Sequence, residues 1–186
     1  KNGVDIGQST VEEVQATYQF NDLTSFLAVY YPAMDVLQDE DDFHDLAAAY
    51  FERARANGVV RAECFFDPQA HTSRGIAIET VIRGYHRAVV EAREAGLSAD
   101  LILCFLRDMS AQSALETLQA ALPYKDMFIG VGLDSDERDN PPTKFAEVFA
   151  LAREAGLHVT MHCDIDQVGS IDNIRAALTE LGAERL

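Results

Sequence analysis

The sequence lacks any long run of uncharged apolar residues, so we expect no membrane-spanning helix. Basic residues are scarce as well. Fifteen Lys and Arg stand against 31 Asp and Glu, and the net charge of −16 repels phosphate backbones, which argues against a nucleic-acid partner. Three widely spaced cysteines, with no Cys-x-x-Cys pair among them, offer neither a disulfide framework nor a zinc signature. This cysteine content fits a reducing compartment best, and we expect a cytoplasmic protein.

The 186 residues, 48% of them apolar, suffice for one domain with a sizeable core. Its first part, residues 1–57, has the pattern of helices. A capping sequence followed by acidic residues predicts a helix over 9–19, and residues 41–56 predict another that ends at Asn57-Gly58. Between them we expect a helix from 21–22 onward, kinked or ended by Pro32. It carries an apolar stripe at i, i+3, i+4 and i+7, made of Leu23, Phe26, Leu27 and Tyr30.

Residues 58–186 alternate four times between strand and helix. The predicted strands are 59–66, 101–107, 128–133 and a fourth that begins at Leu157, and the predicted helices are 75–95, 110–121, 141–155 and 170–181. The strands are nearly continuous apolar runs, which indicates burial on both faces and a parallel sheet. Two architectures remain open, a doubly wound sheet and part of a (β/α)₈ barrel. No Gly-x-Gly-x-x-Gly follows the first strand, which disfavours dinucleotide binding.

Polar residues follow each predicted strand: Asp67, then Arg107-Asp108, then 134–137, then His162 onward. In a barrel these four strand ends lie on one rim, and that rim carries the chemistry of the fold. If the last strand stays extended, His162, Asp164 and Asp166 share one face. An imidazole beside carboxylates predicts a metal or proton-transfer site. The alternative is a structural histidine followed by two solvated aspartates.

Four segments resemble motifs of one family. Residues 63–72 (Glu-Cys-Phe-Phe-Asp-Pro-Gln-Ala-His-Thr) are similar to the second-strand signature of the adenosine/adenine deaminases, and residues 103–107 and 131–137 are similar to their third and fourth strands. Thr160-Met161-His162 lies where the family has Thr-x-His-Ala-Gly-Glu. The resemblance covers essentially the whole chain. The Phe-Phe-Asp-Pro-Gln and Gly-Leu-Asp-Ser forms are more similar to the adenine deaminase branch of this metal-dependent amidohydrolase superfamily.

The resemblance implies an α/β fold that is part of a (β/α)₈ TIM barrel. It comprises about strands 2–5 with their helices, preceded by a helical segment over 1–57 that caps the purine pocket. It also implies one Zn²⁺ per intact protein on the carboxyl rim, with His162 as its fifth-strand ligand. The family's other ligands, a His-x-His pair among them, do not occur in this sequence. We therefore interpret the chain as an internal part of a longer protein, and expect this part alone to hold no zinc and to be inactive.

The family's reaction is the hydrolytic deamination of an aminopurine. The resemblance therefore implies that the intact protein converts adenine to hypoxanthine and releases ammonia. The glutamate that protonates the purine ring in the family falls at Ile165, which carries no proton, so Asp164 and Asp166 are the candidate catalytic replacements. Two alternatives stay open: deamination of adenosine or an N6-substituted adenine, and a noncatalytic purine-binding relative.

The resemblance also implies a set of substrate contacts. Ser135 and Asp136 occupy the loop that contacts the purine edge in the family, although Ser135 would serve equally well as a helix cap. Leu23 and Phe26 of the helical stripe would cap the pocket. We expect Arg107 to form a buried ion pair, with Glu63 as its candidate partner. The expected partner molecule is a small purine, and the resemblance allows a homo-oligomer.

Overall fold

A computed structural model describes residues 2–163 and 168–186. Four strands form one parallel sheet in the order β1 (Arg61–Phe66), β2 (Ser98–Leu106), β3 (Gly130–Asp134) and β4 (His158–Val159). Sequential strands lie side by side with a helix between each pair, as expected for consecutive βα units of a barrel. The prediction of a parallel α/β sheet is confirmed.

Eight α-helices surround or precede this sheet in the described residues. They are α1 (Val11–Ala16), α2 (Leu23–Ala33), α3 (Glu40–Ala56), α4 (Pro68–Thr72), α5 (Ile78–Glu94), α6 (Ala111–Ala121), α7 (Ala146–Glu154) and α8 (Ser170–Thr179). Short 3₁₀ turns cover Met34–Val36, Leu122–Met127 and Pro142–Phe145. No helix in this part of the chain is both long enough and apolar enough to cross a membrane.

The two faces of the sheet have different characters because side chains alternate along each strand. One face packs against the helices and forms the core. Its fully buried residues include Leu103, Phe105, Val131 and Leu133, and the Phe105 ring meets Phe149 of α7 at a centroid distance of 6.0 Å. The other face, which becomes the interior of a closed barrel, carries Glu63 and Phe65 on β1 and opens into a groove.

Two glycines of β3 lie on this inner face, where neighbouring atoms leave no room for a side chain. A Cβ on Gly130 would lie 2.7 Å from the carbonyl oxygen of His158, and one on Gly132 would lie 2.5 Å from Sγ of Cys104. Contacts that close are not tolerated between real atoms. Glycine at these positions therefore lets β2, β3 and β4 approach with their inner side chains in place.

The N-terminal helices differ in how firmly they pack. Helix α3 lies tightly on α5: a Cβ on Gly84 would meet the carbonyl oxygen of Glu40 at 2.5 Å and Cβ of Phe43 at 2.6 Å. Helix α2 buries no residue completely. Pro32 does not stop this helix at once, because α2 runs on to Ala33 before the 3₁₀ turn begins.

Two features of the βα units were not predicted. Helix α4 follows β1 directly and buries Gln69, whose Oε1 accepts a hydrogen bond from the Leu106 backbone at 2.9 Å and whose Nε2 donates to Ser113 at 2.7 Å. The last strand is also shorter than predicted. Regular pairing ends at Val159, and a single bridge then joins Thr160 to Arg185.

Candidate active site

The carboxyl ends of the strands are held together by backbone hydrogen bonds that continue past the strands themselves. The Arg107 amide donates to the Asp134 carbonyl at 3.0 Å, and the His162 amide donates to the Leu133 carbonyl at 2.9 Å. The residues that follow β2 and β4 are therefore anchored to β3. The polar side chains predicted to share one rim do come together there.

His162 lies on the inner side of the sheet, as the barrel interpretation requires. Its ring meets the half-exposed ring of Phe65 edge-on, with centroids 5.4 Å apart, at the end of the open groove. The imidazole is exposed, and no described residue makes a hydrogen bond to either ring nitrogen. The ring is thus available to a ligand. This arrangement fits the expected role of His162 in holding a metal.

A second polar group occupies the same face. Asp67 follows β1, Asp134 ends β3, and Cys104 lies between them on β2; their ligand atoms all lie within 4.8 Å of one another. Cys104 is fully buried, in the space that Gly132 leaves open. One oxygen of each carboxyl group, Oδ1 in both residues, is buried without a hydrogen-bond partner.

Burial is the main influence on the acidity of this group. It raises the pKa of Asp134 well above the usual range, and the neighbouring Asp67 raises it further. Burial also raises the pKa of Asp67, while the hydrogen bond from Asp134 and the nearby His162 act in the opposite direction. The pKa of the Cys104 thiol is raised by burial and by the two carboxyl groups. The thiol is therefore protonated, and a poor nucleophile.

Helix α2 brings two tyrosines to this carboxyl pair. Burial and the charges of Asp67 and Asp134 raise the pKa of Tyr30 to about 12. The pKa of Tyr31 is raised for the same reasons, and its phenol also lies near Ser135. Both phenols therefore remain neutral hydrogen-bonding groups at the rim.

The two residues predicted to contact the purine edge have different environments. Ser135 adopts a left-handed backbone conformation, with φ of +73°, and is 7% exposed. Its hydroxyl has no hydrogen bond of ordinary geometry, so it does not serve as a helix cap. Asp136 accepts hydrogen bonds from the Thr24 hydroxyl at 2.7 Å and from the Arg138 amide at 3.1 Å, and so attaches α2 to the rim.

Phe26 of the α2 stripe faces the N-terminal segment. Phe26 packs on Phe20 and Tyr30, with centroid distances of 5.1 and 5.6 Å. It lines a cavity of about 320 Å³ whose walls come from residues 6–34 only. Leu23 is half-buried in the first turn of the same helix and does not line this cavity. The structure therefore brings Tyr30 and Tyr31, more than Phe26, to the carboxyl pair.

Arg107 is fully buried but does not pair with Glu63. Its Nε and Nη2 donate to the carbonyl oxygen of Asn140 at 2.8 and 2.6 Å, and its Nη1 donates to the carbonyl oxygen of His162 at 3.1 Å. Within residues 2–163 and 168–186, the carboxylate that pairs with it is Glu137, at 3.6 Å. Glu63 is instead on the inner face, where it pairs with Arg61 and Arg185. Arg107 thus ties the rim segments together.

The predicted catalytic residues Asp164 and Asp166 lie outside the described residues, as does Ile165. Sequence reasoning noted Asp67 and Asp134 only as polar strand ends, and it took Cys104 as a buried apolar residue. The strand register could have predicted this cluster. Asp67, Cys104 and Asp134 occupy inward-facing positions near the carboxyl ends of three adjacent strands, so their side chains lie at the same rim.

Comparison with known proteins places this arrangement in a family. A family profile described as adenosine deaminase matches residues 1–186. The chain belongs to the adenosine deaminase family. It is 52% identical over its whole length to an adenine deaminase of Geotalea uraniireducens and 49% identical to an uncharacterised deaminase of Schizosaccharomyces pombe. It spans 52% and 55% of these two proteins, about half the length of each.

Solved structures agree with this placement. The crystal structure of an adenine deaminase from Arthrobacter aurescens superposes with a TM-score of 0.94 at 46% identity, over 99% of this chain and 56% of the other. An amidohydrolase from Burkholderia ambifaria, solved with bound Zn, gives a TM-score of 0.77 at 28% identity, over 95% of this chain and 50% of that one. The fold is therefore part of a TIM barrel of this family, as expected from the motifs.

Proposed function

We propose that the protein to which this chain belongs hydrolyses adenine to hypoxanthine and releases ammonia. The observation that carries this proposal is the likeness to the adenine deaminase of Arthrobacter aurescens, which extends over nearly the whole chain at 46% identity. The position of His162 supports it, because an exposed imidazole faces the barrel interior at the rim where this fold carries its chemistry.

We further propose that His162 holds one Zn²⁺ together with ligands from outside this chain. The ring nitrogens of His162 fit this role, because the imidazole is exposed on the inner face and no described residue makes a hydrogen bond to them. A zinc ion bound there would lower the pKa of a water molecule and so supply hydroxide near neutral pH. One imidazole cannot bind the ion tightly alone, so we expect residues 1–186 by themselves to hold no zinc.

The chain's own residues would bind the purine and move its protons. We assign the proton transfer to Asp164 or Asp166, because the family's acid falls at Ile165. Ser135 has a buried hydroxyl that can donate to a ring nitrogen or accept from an N–H. Asp136, Leu23 and Phe26 would act more indirectly, by holding helix α2 over the rim.

A noncatalytic purine-binding protein is the second candidate, and Ile165 is the observation that favours it. Without a carboxyl group at that position, binding would persist while turnover is lost, unless a neighbouring acid substitutes. Self-association of the intact protein and a cytoplasmic location are further expectations.

The test uses the full-length protein with adenine, adenosine and N6-methyladenine, measuring ammonia release and bound zinc. We expect release from adenine, loss of activity after chelation of the metal, and recovery when Zn²⁺ is restored. D164N or D166N should lower turnover by about 10²-fold, the usual effect of removing an acid–base group. D172N, on α8, is the matched control and should be neutral. Tight adenine binding without ammonia release would favour the second candidate.

A further inference from the structure

Helix α2 carries Tyr30 and Tyr31 to the rim without contributing a residue to the buried core. None of its eleven residues is buried, and Phe26 packs on its aromatic neighbours Phe20 and Tyr30. A helix that buries little apolar surface gains little from the hydrophobic effect. Polar contacts at its two ends therefore have a large part in fixing its position.

The first turn of α2 is attached to the loop that follows β3. The Thr24 hydroxyl donates to Oδ2 of Asp136 at 2.7 Å, and Oδ1 of the same carboxylate accepts from the Arg138 amide at 3.1 Å. The bond from Thr24 is exposed, so water competes with it and its net contribution is small. This end of the helix is therefore held by a contact that breaks easily.

Arg74 attaches the other end of α2. It lies between α4 and α5, and its guanidinium donates to the carbonyl oxygens of Met34, Asp35 and Leu37 at 3.1, 3.4 and 3.1 Å. The Asp35 carboxylate also lies 3.2 Å from its Nε. Carbonyl groups at the end of a helix lack some of their partners within it, and a cation beside them is favourable. Arg74 therefore caps α2 and the 3₁₀ turn after it from outside.

Arg74 is itself held in place by α4. Its Nη2 donates to Nδ1 of His71 at 2.9 Å, and its Nε donates to the Ala70 carbonyl at 3.3 Å. A guanidinium only donates, so Nδ1 of His71 is the acceptor. The buried His71 ring meets Phe43 of α3 edge-on, with centroids 4.7 Å apart. The guanidinium that holds α2 is thus anchored to the firmly packed part of the first βα unit.

The two attachments of α2 lie at the ends of different strands. Asp136 follows β3, whereas Arg74 follows β1 by way of α4, and β2 lies between these two strands. Strands two places apart in a sheet are about 10 Å apart, and eleven helical residues extend about 16 Å. The helix is therefore long enough to bridge both loops across the rim, where it brings Tyr30 and Tyr31 to the carboxyl pair.

We propose that Arg74 is a positioning residue of the aminopurine site, which sets where α2 crosses the rim and so where Tyr30 and Tyr31 lie beside a bound purine. The proposal rests on the function proposed above. Arg74 provides several hydrogen bonds where Thr24 provides one, so it is the stronger of the two attachments. None of the groups that it contacts is assigned to proton transfer or metal binding. Its effect is therefore on purine binding and not on the chemical step.

Steady-state kinetics of the full-length protein with adenine test this role. R74M keeps the apolar stem of the side chain and removes its donors. We expect R74M to raise KM about tenfold, the equivalent of one charged hydrogen bond, and to leave kcat within about twofold of wild type. R74K keeps the charge but loses the planar fork, so it should recover part of the affinity.

Hydrogen exchange gives a readout that requires no turnover. In R74M, the amides of residues 26–36 should exchange about tenfold faster than in the wild type, while those of β2 stay protected. The same comparison in R74K, a milder change, decides the question if R74M loosens the whole fold. Unchanged protection of residues 26–36 in both variants would overturn the view that Arg74 holds α2.

The matched control is R83M, on α5. Arg83 lies over the ring of Tyr124, 5.7 Å from its centroid, and R83M should change neither KM nor the exchange of α2. A KM that R74M leaves unchanged, or a loss confined to kcat, would overturn the positioning role. If the wild type releases no ammonia from any purine, the proposed function fails. Calorimetric binding of adenine to wild type and R74M then tests the positioning role independently of turnover.

Discussion

Replacing Arg107 with methionine should reveal how much of the rim depends on one buried guanidinium. The side chain is completely buried, and its described contacts include four with oxygens of Asn140, His162 and Glu137, two of them with the same carbonyl. Met fills a similar length but donates no hydrogen bond. The carbonyl oxygens of Asn140 and His162 would lose a charged donor, and the nearly buried Glu137 would lose the guanidinium beside it.

The expected cost follows from these contacts. Removing one partner of a buried ion pair typically destabilises a protein by about 3–5 kcal/mol, because the remaining charge stays buried. Each orphaned carbonyl adds a penalty of about 1–3 kcal/mol when considered alone, but effects within one network do not add. We therefore expect R107M to lower the free energy of unfolding by about 3–5 kcal/mol in total.

Urea unfolding of the full-length protein measures this change. The matched control is R87M: Arg87 pairs with Glu40 and Asp41 at 3.3 and 2.6 Å, but all three side chains are substantially exposed. That variant should cost less than about 1 kcal/mol. The double variant R107M/E137Q should be less destabilised than the sum of its single changes. An R107M cost no greater than that of R87M would refute the view that Arg107 holds the rim together.

Two further predictions concern the interior of the sheet and its flanking helices. G132A should destabilise the protein by about 1–3 kcal/mol, because its methyl group would overlap Sγ of Cys104, and adding C104A should recover part of the loss in the same unfolding assay. Burial and the neighbouring Arg74 lower the pKa of His71 to about 4, whereas the hydrogen bond that His44 donates to Glu91 raises the pKa of His44, and an NMR titration of the ring protons should show both directions. The neutral His71 contributes stability above its ordinary pKa, and that part should be lost as the pH falls from about 6.5 toward 4.

The order of strands and helices could be predicted because each element has a strong local signal. The four strands are nearly continuous apolar runs, and helix α5 ends at a glycine that adopts a positive φ, Gly96. Helix α4 was missed because five residues are too few to show a periodic pattern. What stabilises it is a tertiary contact, the buried amide of Gln69 bridging Leu106 and Ser113.

The candidate site was predictable only in part. The resemblance implied that His162 is a metal ligand on the rim, and the structure has its ring on the inner face beside Phe65. The ion-pair partner of Arg107 could not be predicted from the sequence. Glu63 lies on a strand next to Arg107's own, but the inner face where it lies is occupied by Arg61 and Arg185. Which of several acids a buried guanidinium meets depends on loop conformation, and the loop that carries Glu137 begins with the left-handed Ser135.

Position 165 is an isoleucine, so another carboxyl group at the rim must protonate the purine if the protein is a deaminase. A second candidate for the missing acid is the carboxyl pair of Asp67 and Asp134. Turnover of the D134N variant tests whether Asp134 is this acid. If Asp134 delivered its proton to the purine, D134N would lose about 10²-fold in turnover, as expected for D164N or D166N, because an amide cannot protonate a ring nitrogen. If Asp134 does not deliver a proton, the amide replaces it with little loss.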